Sequence, residues 1–104
     1  MLFVRCLTDL SISETNLGGI NLYKAILLSA KLHEADLTEA NLRETNMMGI
    51  KLFKTNLRGA KLRKANLGES KLEKAKFIKA DLSATSLFKA DLTGSSSKAN
   101  PSEN

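Results

Sequence analysis

Few side chains in this sequence have the chemistry and spacing that catalysis or metal binding requires. His33 is the only histidine and Cys6 the only cysteine, which excludes both a metal cluster of histidines and cysteines and an internal disulfide. Gly18 and Gly19 do not form a phosphate-binding motif, and no cleft is indicated that could tune a pair of carboxylates. We therefore predict no catalytic residue, no cofactor and no metal site, with His33 a surface histidine and Cys6 buried or incidentally exposed.

Length and composition indicate one small soluble domain. The chain has 104 residues, of which 42% are hydrophobic and 26% charged, and its formal net charge is +5. No wholly apolar stretch is longer than that of residues 25–28, which is far shorter than the ~18 residues of a membrane-spanning helix. The N-terminus lacks the basic region and the long apolar core of a signal peptide. We expect a cytoplasmic protein that does not contact a membrane.

A five-residue repeat runs without interruption from about residue 7 to residue 94. Every fifth residue from Leu7 to Leu92 is apolar, which gives 18 consecutive central residues, 15 of them leucine. The position two residues earlier, called the small position, is mostly alanine, threonine or serine. The intermediate position between the two is often Asn or Asp, as in Ala-Asp-Leu at 35–37 and Ala-Asn-Leu at 40–42.

A period of five fits neither an ordinary helix nor a flat strand. In a helix, successive central residues would be rotated by roughly 140° and would scatter around the surface. In a strand they would alternate between the two faces. Within one unit, however, the small and central residues share one side of an extended segment. A chain that turns in the same sense after each unit therefore brings all the central side chains inside a climbing coil, with rungs roughly 4.8 Å apart.

The pattern Ala-(Asn/Asp)-Leu-x-x resembles that of the pentapeptide-repeat family, and residues 35–44 match it closely. The resemblance implies an all-β fold, a right-handed quadrilateral β-helix (β-solenoid) with four pentapeptide units per coil and about four and a half coils. The extent of the repeat predicts one solenoid over residues 1–94, in which the mostly apolar residues 1–6 form an irregular N-terminal cap, and the polar composition of residues 95–104 predicts a disordered tail. Uncovered coil ends expose strand edges and favour a homodimer through a terminal coil.

Three small positions carry larger side chains, namely Leu10, Ile20 and Ile50. A narrow square section accommodates alanine at this position, and two bulky residues on each side would overpack it. We therefore expect the wall of the coil to widen or distort at these three residues.

Stacking the units 20 residues apart groups the outward residues into two candidate surfaces. The first is an apolar stripe suited to a protein partner, and it consists of Ile26, Leu28, Met48 and Phe88. The second is a basic surface that covers two faces. Lys31, Lys51 and Lys71 lie on the face of Leu32, Leu52 and Leu72, and the face of Leu42 and Leu62 adds Arg43, Lys61, Arg63 and Lys64. Residues 51–79 contain ten bases and two acids, which could attract an acidic partner or a nucleic acid. A solvated, lysine-rich face explains them more simply.

These features favour a non-enzymatic protein, a rigid interaction scaffold for an unidentified protein partner. One alternative is the role of some family members, which mimic DNA and protect DNA gyrase, but the net charge of +5 and the lack of a projecting loop disfavour it. The other alternative is an acidic partner or a nucleic acid bound by the basic C-terminal half. Scarce aromatic residues disfavour nucleic acid. The family is especially numerous in cyanobacteria, which is a hint about the source.

Overall fold

The fold consists of short parallel rungs that repeat every 20 residues. A computed structural model describes residues 6–96. Isolated parallel bridges join the intermediate residue of each unit to the intermediate residue 20 positions later, from Cys6 with Ile26 to Lys76 with Ser96. Within the described range, the β structure consists of these single bridges, and no helix is present. A spacing of 20 residues places four five-residue units between one rung and the next.

The backbone N–H groups of each unit are satisfied in a fixed pattern. Three of them donate to carbonyl groups one rung away. In the unit around Leu37 these bonds are Leu37 N to Asn56 O, Glu39 N to Arg58 O and Asp36 N to Thr15 O, at 2.8, 2.8 and 2.9 Å. The N–H of Ala40 closes a turn onto Leu37 O at 3.0 Å. Each rung in the middle of the described range is therefore hydrogen-bonded both to the rung before it and to the rung after it.

The intermediate Asn and Asp side chains accept the remaining N–H, that of the first turn residue, which directly follows the central residue. In all nine units that carry Asn or Asp at this position, Oδ1 accepts from the N–H two residues later at 2.9–3.3 Å. These residues are Asn16, Asn21, Asp36, Asn41, Asn46, Asn56, Asn66, Asp81 and Asp91. Asn and Asp are preferred here because their short side chains place an acceptor oxygen beside the N–H of the first turn residue, which makes no hydrogen bond to a neighbouring rung.

The second turn residue of every unit has a left-handed backbone conformation. Its φ lies between 55° and 72° in all 18 units, and in 14 of them the residue is not glycine. A positive φ at this position, with the N–H of the next residue bonded back to the central carbonyl, is the arrangement of a type II turn. Side chains with a Cβ disfavour this conformation. The hydrogen bonds on both sides of the turn therefore outweigh a repeated local strain.

The central and small residues form a continuous core along the axis of the coil. The central residues from Leu22 to Phe77 are all at most 5% exposed. The hydroxyl groups that share this core are hydrogen-bonded, as buried polar groups must be. Thr45 donates to Leu42 O, Thr55 to Leu32 O and Ser70 to Leu67 O, at 2.7, 3.0 and 2.7 Å. The apolar residues nearer the ends of the described range pack against this core but are only partly buried.

The backbone ladder is not distorted at the larger small-position residues, so that part of the prediction was wrong. The inter-rung bonds that Leu10 O, Ile20 O and Ile50 O accept have ordinary lengths of 2.7, 2.8 and 2.9 Å. The reason is that each large residue stacks on small residues in its column. Leu10 and Ile50 both stack on Ala30, and Ile20 stacks on Ala40.

The regular pattern extends slightly past the predicted boundaries. Cys6 is bridged to Ile26, and Ser96 is bridged to Lys76. Residue 6 and residues 95–96 therefore belong to the solenoid, because backbone bonds between rungs do not require an apolar side chain. The rest of the predicted cap (1–5) and tail (97–104) lies outside the described residues. In the part of the chain described, no helix is long and apolar enough to span a membrane.

Candidate functional site

The predicted apolar stripe lies on one side of the solenoid, which we call the apolar side. Bridges join its intermediate residues in the order Cys6, Ile26, Asn46, Asn66 and Ser86. Its first turn residues are Thr8, Leu28, Met48, Gly68 and Phe88. Phe88 is 66% and Met48 41% exposed, whereas Ile26 and Leu28 are half-buried. Three of the four predicted residues thus share one column, and Ile26 lies in the column beside it.

Gly68 lies in this column between Met48 and Phe88 and has no side chain. Gly68 is buried, and a Cβ added to it would lie 3.2 Å from Asn66 Oδ1, 3.6 Å from Met48 Cε and 3.6 Å from the Phe88 carbonyl oxygen. The methyl group of Met48 therefore lies close to Gly68 and helps to cover it. The exposed side chains of Met48 and Phe88 lie on either side of Gly68 in the column.

The apolar side carries little charge. Its second turn residues are Asp9, Ser29, Gly49, Glu69 and Lys89, and Asp9, Glu69 and Lys89 are the only charged outward residues of its five units. Lys89 Nζ lies 5.3 Å from the centroid of the Phe88 ring, which is a cation–π distance. Exposed Met and Phe side chains with few charges around them are typical of the centre of a protein–protein interface.

The predicted basic residues are divided between two sides of the coil. Bridges join Lys31, Lys51 and Lys71 into one column that ends at Asp91. The other four residues, Arg43, Lys61, Arg63 and Lys64, belong to the units of Leu42 and Leu62. Because these units follow two steps further along a coil of four, the two groups are not on adjacent sides. The seven residues therefore form two basic patches, on the two faces to which the sequence pattern assigned them.

Local contacts hold part of the basic patch that Arg43, Lys61, Arg63 and Lys64 form. Arg43 Nε donates to Asn41 Oδ1 at 3.0 Å, and the guanidinium carbon of Arg43 lies 5.2 Å from the centroid of the Tyr23 ring. Lys24 Nζ lies 4.0 Å from Glu44 Oε1 and 5.4 Å from the centroid of the same ring. This network orients Arg43 along the surface, so its charge is already engaged within the chain.

His33 and Cys6 each make a side-chain contact that was not predicted. Ser13 Oγ lies 2.9 Å from His33 Nδ1, one rung away. Cys6 is exposed, and its Sγ lies 3.5 Å from Thr8 Oγ1, a hydrogen bond that lowers the pKa of the Cys6 thiol. The Ser13–His33 contact is visible in the sequence only when residues 20 apart are compared. Among residues 6–96, no group of three or more His, Cys, Asp or Glu side chains could hold a metal ion.

The three intermediate aspartates accept a second hydrogen bond, from a hydroxyl group. The donors and acceptors are Thr38 to Asp36, Ser83 to Asp81 and Thr93 to Asp91, at 2.5, 2.5 and 2.6 Å. These hydroxyl bonds, with the backbone N–H bonds of the same turns, hold the pKa of each carboxyl below its ordinary value. The charge of Arg63 lowers the pKa of Asp81 further, and that of Lys71 lowers the pKa of Asp91.

We expect the solenoid to lose stability in acid through these three carboxyls. Because their pKa values are lower in the folded than in the unfolded chain, their contribution is complete above the unfolded pKa of about 3.9 and is lost as the pH falls through the folded pKa. The urea midpoint, measured from about pH 7 downwards, should fall below about pH 4. The fall should be smaller in Asp36→Asn/Asp81→Asn/Asp91→Asn, because asparagine accepts the N–H bond but does not titrate.

A second triple variant tests the acid prediction by removing the hydroxyl donors and keeping the carboxyls. In Thr38→Val/Ser83→Ala/Thr93→Val, the loss of the hydroxyl bonds should bring the folded pKa values closer to the unfolded ones. The acid-dependent fall in the urea midpoint should then be smaller as well. An acid profile that both triple variants leave unchanged would show that other groups control acid stability.

Stacked parallel rungs, type II turns and inward central residues define a β-solenoid built from five-residue units. A family model described as pentapeptide repeats, with eight copies, matches residues 6–43, 30–69 and 55–94. The chain therefore belongs to the pentapeptide repeat family, as its sequence pattern predicted. Proteins of this family form right-handed quadrilateral β-helices and are generally non-enzymatic interaction scaffolds.

Solved structures similar to this chain include two cyanobacterial pentapeptide repeat proteins. HetL from Nostoc sp. strain PCC 7120, which is involved in heterocyst differentiation regulation, is 30% identical with a TM-score of 0.86, and the match covers 88% of this chain and 38% of HetL. Rfr23 from Cyanothece 51142 is 31% identical with a TM-score of 0.52, and the match covers 88% of this chain and 63% of Rfr23. This chain thus spans less than two thirds of either relative. No curated protein matches it.

Proposed function

We propose that this chain is a rigid, non-enzymatic interaction scaffold that binds a protein through its apolar side. The observation that carries the proposal is the column of Leu28, Met48 and Phe88 on a side with little charge. Exposed apolar side chains in one continuous patch favour burial against another protein. The residues between them are small or uncharged, so a partner could approach without desolvating many ionic groups.

The rigidity of the scaffold follows from its hydrogen bonding. Each outward residue is attached to a backbone that is hydrogen-bonded to at least one neighbouring rung. We infer four units per coil throughout, so that residues 6–96 make about four and a half right-handed coils. A partner would meet a preformed surface, which reduces the conformational entropy lost on binding.

The gyrase-protecting alternative has less support. A mimic of DNA needs negative charge, whereas this chain has a formal net charge of +5. Its repeat also continues without an inserted loop between residues 7 and 94. A binding role is in keeping with the similarity to HetL, a protein involved in heterocyst differentiation regulation.

Affinity capture from an extract of the source cells tests the proposed function. Wild-type protein and Leu28→Glu/Met48→Glu are immobilised at equal density, and the captured proteins are compared by mass spectrometry. We expect the variant to lose at least one protein that the wild type captures, because binding would desolvate two added carboxylates. The fold accepts glutamate at the first turn position, since Glu73 occupies it in its own unit.

The matched control changes two apolar first turn residues on other sides of the coil. This control is Phe53→Glu/Ile78→Glu, and it should capture the same proteins as the wild type. Identical captured sets for the wild type and Leu28→Glu/Met48→Glu would contradict the proposal. If high salt alone removed the captured proteins, equally in all three forms, binding would be assigned to the basic patches instead.

A further inference from the structure

We infer, on the basis of the proposed function, that the protein bound by the apolar side is a second copy of this chain. The two solenoids would lie antiparallel, related by a two-fold axis that passes between their Met48 side chains. In such a dimer the same surface meets itself. Each column of the apolar side must then be complementary to the same column read in the opposite direction.

The sizes of the first turn residues meet this condition. The column runs Thr8, Leu28, Met48, Gly68, Phe88. When the column is reversed about Met48, Leu28 of one copy faces Gly68 of the other, which has no side chain. Phe88, which is 66% exposed, faces the small side chain of Thr8. Each half of the interface thus pairs large residues with small ones, and the two methionines at the axis have side chains flexible enough to adapt to each other.

The charges of the second turn residues meet the condition as well. Their column runs Asp9, Ser29, Gly49, Glu69, Lys89. Reversal about its middle places Asp9 of one copy opposite Lys89 of the other, twice in the dimer, and Glu69 opposite Ser29. No two like charges face each other. Exposed ion pairs add little affinity, but complementary charges fix the direction and the register of packing.

Other arrangements of two apolar sides fit less well. A parallel dimer would place Phe88 against Phe88 and Gly68 against Gly68, which sets a bulky contact beside a gap. An antiparallel dimer shifted by one rung would separate Asp9 from Lys89 and would overlap fewer rungs. The register centred on Met48 uses all five rungs of the side, a length of about 20 Å. Because so narrow a contact is smaller than a standard interface, the dimer should be weak and concentration-dependent.

Sedimentation equilibrium over a concentration series tests the inference. The wild-type mass should rise with concentration from that of the 11.3 kDa chain towards twice this value. Met48→Glu brings two carboxylates together at the axis and should raise the dimer dissociation constant at least about tenfold, whereas Phe53→Glu should leave it unchanged. A wild type that stays monomeric would overturn the inference. Equal dimerisation of Met48→Glu and wild type, as expected for association through a terminal coil, would also overturn it.

A charge exchange tests the direction of packing. Asp9→Lys and Lys89→Asp should each weaken the dimer, because each places like charges opposite one another. The double variant Asp9→Lys/Lys89→Asp should restore wild-type dimerisation, since it exchanges the members of the same pair. If it dimerises no better than the single variants, the antiparallel register centred on Met48 is wrong.

The two proposals can fail separately. A monomeric wild type whose Leu28→Glu/Met48→Glu variant loses captured proteins other than this chain overturns the homodimer and retains the proposed function. A monomeric wild type with identical captured sets overturns both. If the native chain itself is captured by the wild type and lost by the variant, the homodimer is supported.

Discussion

Leu52→Ala is expected to lower the free energy of unfolding by about 2–5 kcal/mol. Leu52 is completely buried, and it lies in a column between the buried side chains of Leu32 and Leu72. The rungs on both sides are held by backbone hydrogen bonds, so they cannot move together to fill the space that the lost atoms leave. The cost therefore includes the cavity as well as the lost burial. Urea unfolding followed by circular dichroism gives the difference.

Leu92→Ala is the matched control for this prediction. Leu92 is the central residue of a unit on the same side of the coil, but it is 38% exposed. The same substitution there removes less buried surface and leaves no closed cavity, so its cost should be clearly smaller. Equal costs for Leu52→Ala and Leu92→Ala would contradict the conclusion that the enclosed column stabilises the coil.

Replacing lysines by glycine at second turn positions is expected to stabilise the solenoid. Lys64, Lys74 and Lys79 have φ values of 63°, 61° and 63°, where a Cβ costs about 1 kcal/mol or more. Glycine removes this cost but gains entropy in the unfolded chain, which offsets part of the benefit. We expect a net gain of about 0.5–1 kcal/mol per site, and about 2 kcal/mol in Lys64→Gly/Lys74→Gly/Lys79→Gly, measured by urea unfolding.

The corresponding alanine variant separates backbone strain from charge. Lys64→Ala/Lys74→Ala/Lys79→Ala removes the same three charges but keeps each Cβ, and Ala84 shows that alanine adopts this conformation, with a φ of 56°. Its stability should stay well below that of the glycine variant. If both triple variants were stabilised equally, relief of repulsion between lysines would explain the gain, and the assignment of strain would be wrong.

The interior of this protein could be predicted from its sequence because the repeat is strict. A five-residue period leaves one arrangement in which Leu22, Leu52 and the other central residues all point inward, and they are buried as predicted. The number of units per coil does not follow from the period. That number came from the resemblance to the family, and bridges such as Lys31 with Lys51 agree with it.

The left-handed turns could not be predicted, because most of the residues that adopt them are of types that ordinarily avoid a positive φ. Among the second turn residues only Gly19, Gly49, Gly59 and Gly94 are glycine, and most of the others are lysine or glutamate. In a short peptide such residues would avoid a positive φ. From Asp9 to Lys74, the N–H of each second turn residue donates to the next rung, and these hydrogen bonds override the local preference.

Contacts between rungs were missed for a related reason. Ser13 and His33 are separated by 20 residues, and only the stacking brings Oγ and Nδ1 to 2.9 Å. Ile50 was predicted to distort the wall because it was considered within its own unit. Its neighbours in the column, Ala30 and Ser70, leave room for it. Columns, and not single units, determine the packing and the surface chemistry of this chain.

The bridges between residues 20 apart limit how such a chain can change in length during evolution. Loss or gain of a single unit would rotate all the following units by a quarter turn about the axis of the solenoid. If the change lay between Met48 and Phe88, Phe88 would no longer lie in one column with Leu28 and Met48. Loss or gain of a whole coil would shorten or extend the rod and leave that alignment intact. Where one side carries the function, insertions and deletions are therefore tolerated only in multiples of a full coil.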